Sequence, residues 1–196
     1  MSATLHRRDV VESLLSNRKD LLVVAGLGST AWDITAAGDS PLNFPLWGAM
    51  GQAAMIGLGL ALAQPKRRVL VITGDGEMLM GLGSLATIGV QQPANLSIVV
   101  IDNGRYGETG MQATHTASGV DLAAVALACG FNSSAMVTGK TEVESLRKAI
   151  HGKSGPNFAA VKVIAEKLPL VLPPREGTLL KARFRRAVLG DEADLA

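Results

Sequence analysis

Three short apolar runs, Leu21 to Ala25 (LLVVA), Arg68 to Thr73 (RVLVIT) and Asn95 to Ile101 (NLSIVVI), each lead into a polar, glycine-bearing segment. Runs of this length without polar alternation fit strands buried on both faces. Helical spacing lies around and between them. Asp9 to Asn17 reads as a short amphipathic helix and Gly48 to Ala63 as a small-residue helix. A third helix begins at Gly76 and runs through Met78, Met80, Leu82, Leu85 and Ile88. Further on come a loop over Asp102 to Gly119, a helix over Leu122 to Cys129, a strand over Ala135 to Val137, and a helix over Thr141 to Ile150. In that last helix Thr141 and Glu144 form a capping-box pattern, and a final strand covers Phe158 to Ile164. Strands separated by helices of about 10 to 15 residues predict an α/β fold, a single three-layer domain whose parallel sheet of about six strands is flanked by helices on both faces.

A chain of 196 residues, at roughly 150 per domain, has room for one domain. It is expected over residues 1–172, with a helical tail over 173–196. After Pro173 and Pro174 the tail carries Leu180, Phe184, Ala187 and Val188 as an apolar stripe among basic residues. Such a stripe packs on its own domain or on a partner. Apolar residues make up 47% and charged residues 18%, against an average of about 25% charged, so disorder and a solvated coiled coil are excluded. The net charge of +2 lacks the basic excess of a nucleic-acid binder. The single cysteine, Cys129, excludes an internal disulfide framework and multi-thiolate metal sites, and a reducing cytoplasm is the expected location. The apolar residues after Asp9 are too few for a signal h-region. Leu46 to Ala63 is eighteen residues without a charge, long enough to be weighed as a membrane span. Its four glycines, five alanines and Gln52 read better as a buried helix.

Ligands of parallel sheets bind at the carboxyl ends of the strands, and two glycine turns stand there. Gly26-x-Gly28-x-x-Ala31 matches the short dinucleotide fingerprint, but no carboxylate follows at Pro45 to Met50 to hold ribose hydroxyls. The second turn, Gly74-Asp75-Gly76-Glu77, precedes a helix and a strand that ends in Asp102-Asn103-Gly104. Asp75 and Asn103 are 28 positions apart, one helix plus one strand, so both reach the same sheet edge on adjoining loops. One carboxylate, one amide oxygen and a backbone carbonyl form a hard, low-charge oxygen set that suits Mg²⁺ once phosphate oxygens and water complete an octahedron. The helix starting at Gly76 offers unpaired N–H groups to that phosphate. The turn is no Walker loop, because no Gly-Lys-Ser/Thr follows. A turn pair that only satisfies loop backbone is the plainer reading of Asp75 and Asn103.

Gly74-Asp75-Gly76, about 25 residues, then Asp102-Asn103 resembles the thiamine diphosphate motif of thiamine-dependent decarboxylases and carboligases. The run LWGAMGQAAMIGLGLALAQPKRRVLVITGDGEMLMGLGSLATIGV and the loop DNGRYGETGMQATHT are most similar to the small β subunit of sulfopyruvate decarboxylase and the corresponding half of phosphonopyruvate decarboxylase. The similarity extends from about Val23 to Ile164. It implies that Asp75 and Asn103 bind Mg²⁺ by their side chains and Arg105 by its carbonyl. Diphosphate contacts fall on Gly28, Ser29, Gly76, Glu77 and the Tyr106-Gly107 backbone. Gly48 corresponds to a carbonyl that accepts from the aminopyrimidine, and Met50 to the apolar prop that keeps thiamine bent. Glu77 departs from the serine or alanine of many relatives, so its carboxylate must point away or pair with a cation. Asp102 replaces the first asparagine of the pair and leaves the metal ligand intact.

The implied reaction is attack of the C2 ylid on a 2-oxo acid with loss of CO₂, the acid being a three-carbon sulfonate or phosphonate. The family's catalytic glutamate lies in a separate pyrimidine-binding domain, and no glutamate here sits in a copy of that motif. The resemblance therefore implies a companion α subunit carrying that domain, a hetero-oligomer, and a cofactor at the subunit boundary. A carboligase or lyase subunit, a regulatory cofactor-binding subunit and an NAD-binding module remain alternatives. Arg105 and His115 are the nearby groups suited to a substrate anion. His115 reads equally as an acid/base and as an ordinary loop histidine. His6 and His151 are expected at the surface, Met78 and Met80 as core filler, and Cys129 as a structural thiol with no serine elbow elsewhere.

Overall fold

In the computed structural model, which describes residues 3–152 and 154–194, the chain runs α1 (Arg7–Leu15), β1 (Leu22–Ala25), α2 (Ser29–Ala36), β2 (Asn43–Pro45), α3 (Ala53–Ala63), β3 (Val69–Gly74), α4 (Asp75–Met80), α5 (Ser84–Gln91) and β4 (Leu96–Asp102). A hairpin of β5 (Arg105–Tyr106) and β6 (Gln112–Ala113) and a 3-10 turn (His115–Ser118) follow. The chain continues as α6 (Leu122–Ala128), β7 (Ser133–Val137), α7 (Lys140–Ile150), β8 (Asn157–Lys162) and α8 (Gly177–Leu189).

Six strands form one parallel sheet in the order β2-β1-β3-β4-β8-β7. Because successive side chains point to opposite faces, the sheet supplies two apolar layers. Leu22, Val24, Val71, Ile98 and Val100 pack under α3, α5 and α6. Val23, Leu70, Ile72, Val99 and Ile101 pack under α1, α2 and α7. Each fully buried aliphatic side chain contributes about 1.5–3 kcal/mol relative to exposure, which holds the strand ends, and the loops on them, in fixed positions.

The sixth strand, β2, and the helix before it, α2, carry no strong sequence signal. β2 has three residues and pairs only through β1, with Pro45 opposite Ala25; a proline fits there because an edge strand has no outer ladder to complete. α8 covers this edge. Its Phe184 ring lies 5.1 Å from Phe44, and Arg183 pairs with Asp39 at 2.6 Å, so the apolar stripe of the tail packs on the sheet it follows.

Three expected elements are corrected. The helix expected from Gly48 begins only at Ala53, because Ala49 and Gly51 take positive φ values of 55° and 82° and turn the chain first. No helix among the described residues is long and apolar enough to cross a membrane. The helix expected from Gly76 to Ile88 breaks into α4 and α5 at Gly81. A Cβ on Gly81 would lie 2.0 Å from the carbonyl oxygen of Gly51, so the break lets two backbones meet. Gly81→Ala is therefore expected to cost about 1–3 kcal/mol, the range for forced overpacking, read as a lower denaturant midpoint with an unchanged m-value. Finally, α7 starts at Lys140, which makes Glu142 rather than Glu144 the carboxylate that accepts from the Gly139 N–H, at 3.1 Å.

Candidate cofactor site

The strand order reverses between β1 and β3: the chain leaves β1 for β2 on one side and returns to β3 on the other. In a doubly wound sheet that reversal opens a crevice beyond the carboxyl ends. The turns after β1, β3 and β4 all end in it. They enclose a cleft of about 110 Å³, open to solvent on one side and lined by Ser29, Met50, Asp75, Gly76, Asn103 and Tyr106 among others.

Asp75 is buried at the floor. Its Oδ2 accepts from Thr114 Oγ1 at 2.5 Å and lies 3.2 Å from Thr116 Oγ1. Thr116 has one hydroxyl proton, and its shorter contact is to Asp102 Oδ1 at 2.8 Å. Asp102 also accepts from Lys162 Nζ at 2.6 Å and from the Gly104 N–H at 3.0 Å. Thr116 thus lies between two buried carboxylates, and of the two only Asp102 is paired with a cation among the described residues. Burial pushes the Asp75 carboxyl above its ordinary value, and the Asp102 charge adds to the rise while the threonine hydrogen bonds oppose it. The sequence reading missed Thr114 and Thr116. Their signal was the alternation Thr114-His115-Thr116, which turns both threonines inward and leaves His115 exposed.

Asn103 lines the cleft, and its Oδ1 accepts the Arg105 N–H at 2.8 Å. The turn-forming reading and the ligand reading of this residue therefore coexist: one lone pair fixes the loop and the oxygen retains a second. Tyr106 packs on Gly76, where an added Cβ would lie 2.5 Å from the ring. Glycine at that position is what allows the β5 hairpin to close over α4.

Glu77 takes the first of its two expected dispositions. Its carboxylate turns beneath Gly26, where an added Cβ would lie 1.7 Å from Oε2, and accepts from Thr73 Oγ1 at 2.9 Å. Oε1 has no hydrogen-bond partner among the described residues. Burial raises its pKa, opposed by Thr73 and the N–H groups of Gly51, Ala53 and Leu27 that face it. A carboxyl with a raised folded-state pKa adds stability below its unfolded value, here 4.5, and loses it as pH rises through the folded value. Glu77→Gln should therefore melt at least as high as the parent at pH 7 and show a flatter decline above pH 4.5 in thermal unfolding. A large loss at neutral pH would show that an ionised carboxylate anchors the loops.

Of the expected site residues, Ser29, Met50, Asp75, Gly76, Glu77, Asn103, Arg105, Tyr106 and Gly107 line the cleft. Gly28 stands just behind it as the N-cap of α2, with φ 82° and the Glu108 carboxylate over it. Gly48 is exposed outside the lining, and His115 lies on the outer surface of the 3-10 turn, apart from the cleft. Met80, expected in the core, is 55% exposed and faces the cleft beside Met50, whereas Met78 is buried. Arg7, not expected here, also lines the cleft; it donates to the Ser29 carbonyl at 3.1 Å and pairs with the fully buried Asp33. Arg8 reaches Asp33 at 3.2 Å, and burial raises the Asp33 pKa despite both cations.

The pattern described as "Thiamine pyrophosphate enzyme, C-terminal TPP binding domain" matches residues 28–162. The chain is 46% identical over 128 residues to the sulfopyruvate decarboxylase subunit beta of Methanothermobacter thermautotrophicus, covering 65% of this chain and 68% of the relative. With the same subunit of Methanocaldococcus jannaschii the identity is 36% over 191 residues, covering 93% and 96%. The phosphonopyruvate decarboxylase of Streptomyces viridochromogenes is 39% identical over 145 residues, 74% of this chain but only 36% of that longer one. Among solved structures, benzoylformate decarboxylase from Polynucleobacter necessarius superposes with a TM-score of 0.70 at 22% identity, covering 85% of this chain and 34% of that one, a likeness of fold.

Proposed function

The chain belongs to the thiamine pyrophosphate enzyme family and carries its C-terminal cofactor-binding domain, and on that premise we propose that it is the Mg²⁺- and thiamine diphosphate-binding subunit of a two-subunit 2-oxo acid decarboxylase of the sulfopyruvate or phosphonopyruvate type. One observation carries the reading: Asp75, a buried carboxylate on the cleft floor, forms no ion pair with any described residue, whereas its neighbour Asp102 is neutralised by Lys162. A divalent cation supplies the missing positive charge. The donors at hand, a carboxylate, the Asn103 amide oxygen and the Arg105 carbonyl, are the hard oxygens Mg²⁺ takes.

The residues of this chain then have separate tasks. Asp75 and Asn103 hold the metal, and the Thr114-Thr116-Asp102 network keeps Asp75 from turning away. Ser29 and the first N–H groups of α2 and α4, with Gly76 and the Tyr106-Gly107 backbone, hold the diphosphate. Arg7, fixed by Asp33, adds positive potential beside Ser29. Met50 and Met80 give the cleft an apolar wall that shapes the thiamine and excludes water. When bound, thiamine diphosphate supplies a carbon nucleophile toward the 2-oxo group and an electron sink for loss of CO₂. In this reading residues 1–172 form the binding domain and 173–196 its tail. Two relatives that this chain matches over most of their length are named as β subunits, which supports a companion α subunit bearing the pyrimidine-binding domain.

The test is calorimetry of the purified chain with thiamine diphosphate, with and without Mg²⁺, and with NAD in parallel. Saturable, Mg²⁺-dependent binding of thiamine diphosphate and no heat with NAD are expected. NAD binding at Gly26 to Ala31 would overturn the assignment.

A further inference from the structure

At the opposite end of the sheet, where β1 and β3 begin, the chain builds a second cleft whose wall is cationic. Lys19, from the loop before β1, Arg68, just before β3, and Arg147 and Lys148, in the last turn of α7, all line it with His151. Four fixed positive charges face one nearby carboxylate, Asp20, while the whole chain carries only +2. Compensation of the α7 carboxyl end does not account for this grouping, because Arg68 comes from a different element and Arg147 turns to Ser16 Oγ at 2.7 Å. The two guanidiniums are held in place. Arg68 Nη1 donates to His151 Nδ1 at 2.8 Å and to the His151 carbonyl at 3.0 Å, and its Nη2 binds Asp20 at 2.7 Å.

His151, expected at the surface, is half-buried here. Because Arg68 can only donate, Nδ1 of His151 is an acceptor and the imidazole proton resides on Nε2. The wall therefore offers guanidinium, ammonium and imidazole donors with a single carboxylate among them. Fixed guanidiniums match the oxygens of a phosphate group and hold it more strongly than neutral donors do. We propose that this cleft binds a phosphate dianion, free or as a phosphate monoester, at a site separate from the cofactor cleft.

The charges act on His151 together. Burial first, then Arg68, Arg147 and Lys19, lower its pKa, and only Asp20 opposes them. A bound dianion reverses that field, so by reciprocity phosphate raises the His151 midpoint and protonated His151 tightens phosphate by the same factor.

The experiment follows the three histidine Hε1 signals by NMR through pH titrations in sodium chloride and in sodium phosphate at equal ionic strength, with His151 assigned by its loss in His151→Gln. Phosphate is expected to shift His151 saturably, to leave His6 and His115 in place, and to raise the His151 midpoint by roughly half to one unit, a coupling of about 3- to 10-fold. The double variant Lys19→Gln/Lys148→Gln, two exposed lysines, should weaken phosphate at least about 5-fold by the same linkage. AMP in place of phosphate separates the sources: tighter AMP binding assigns the monoester, tighter inorganic phosphate the free ion. An equal effect of chloride, or equal shifts at all three histidines, would mean screening alone and would overturn the proposal.

Discussion

Asp75→Ala should abolish Mg²⁺-dependent thiamine diphosphate binding, with affinity falling at least about 100-fold, or about 2.7 kcal/mol, in calorimetry. The buried carboxylate is the one anionic ligand in the proposed metal set, and neither Asn103 nor a backbone carbonyl can replace its charge. Stability without cofactor should move the other way. Burial holds the folded-state pKa of Asp75 above its ordinary 3.8. Its contribution is complete below that unfolded value and lost as pH rises through the folded one, so at neutral pH the carboxylate burdens the empty protein. Asp75→Asn, which keeps the shape and can still meet Thr114, should therefore melt higher than the parent without ligand. It should also lose the stabilisation that saturating cofactor gives, about 2.7 kcal/mol at a hundredfold excess over Kd. Undiminished Mg²⁺-dependent binding in either variant would remove Asp75 from the metal set.

Turnover should depend on a second chain to a comparable degree. The described cleft holds carboxylates, but Asp75 and Glu77 are committed to hydrogen bonds below the floor, and His115 faces away from it. Glu108 also lines the cleft, but on the side of Gly28 where the diphosphate is proposed to lie. With the catalytic glutamate proposed on the companion subunit, the isolated subunit should fall about 10²- to 10⁴-fold short of the reconstituted pair, the usual worth of general acid–base catalysis. CO₂ and aldehyde release from a panel of 2-oxo acids, with Mg²⁺ and thiamine diphosphate, measures this for the chain alone and with the proposed α partner. Consumption of an acceptor aldehyde would redirect the assignment to a carboligase while the cofactor site stands. Rapid decarboxylation by the chain alone would refute the division of labour.

Much of the fold was legible because its signals are local. Continuous apolar runs marked β1, β3 and β4, and their glycine turns marked the loops that carry ligands. The spacing between Asp75 and Asn103 needed only the rule that a helix plus a strand returns the chain to the same sheet edge. What failed lacked a local signal. β2 is too short to make a pattern, and α2 has a buried side without a clean stripe. The helix expected through Gly81 was broken by Gly51, a residue 30 positions earlier that no periodicity could connect to it.

The sequence by itself determined most of the elements, the parallel arrangement and the Gly74-Asp75-Gly76 to Asn103 motif, since these depend on periods of two and 3.6 residues and on turn chemistry within a few positions. Only the tertiary structure decided which loops face each other. Strand order put the reversal between β1 and β3, which brought Glu77 under Gly26, set Thr114 and Thr116 on Asp75, turned His115 outward and left Met80 in the cleft. It likewise gathered Lys19, Arg68 and Arg147 at the far end, although the net charge of the chain is nearly neutral. The physical reason is common to both ends: a side chain's pKa, its partners and its exposure are set by charges and surfaces within a few ångströms, and those neighbours are chosen by the packing of segments distant in sequence.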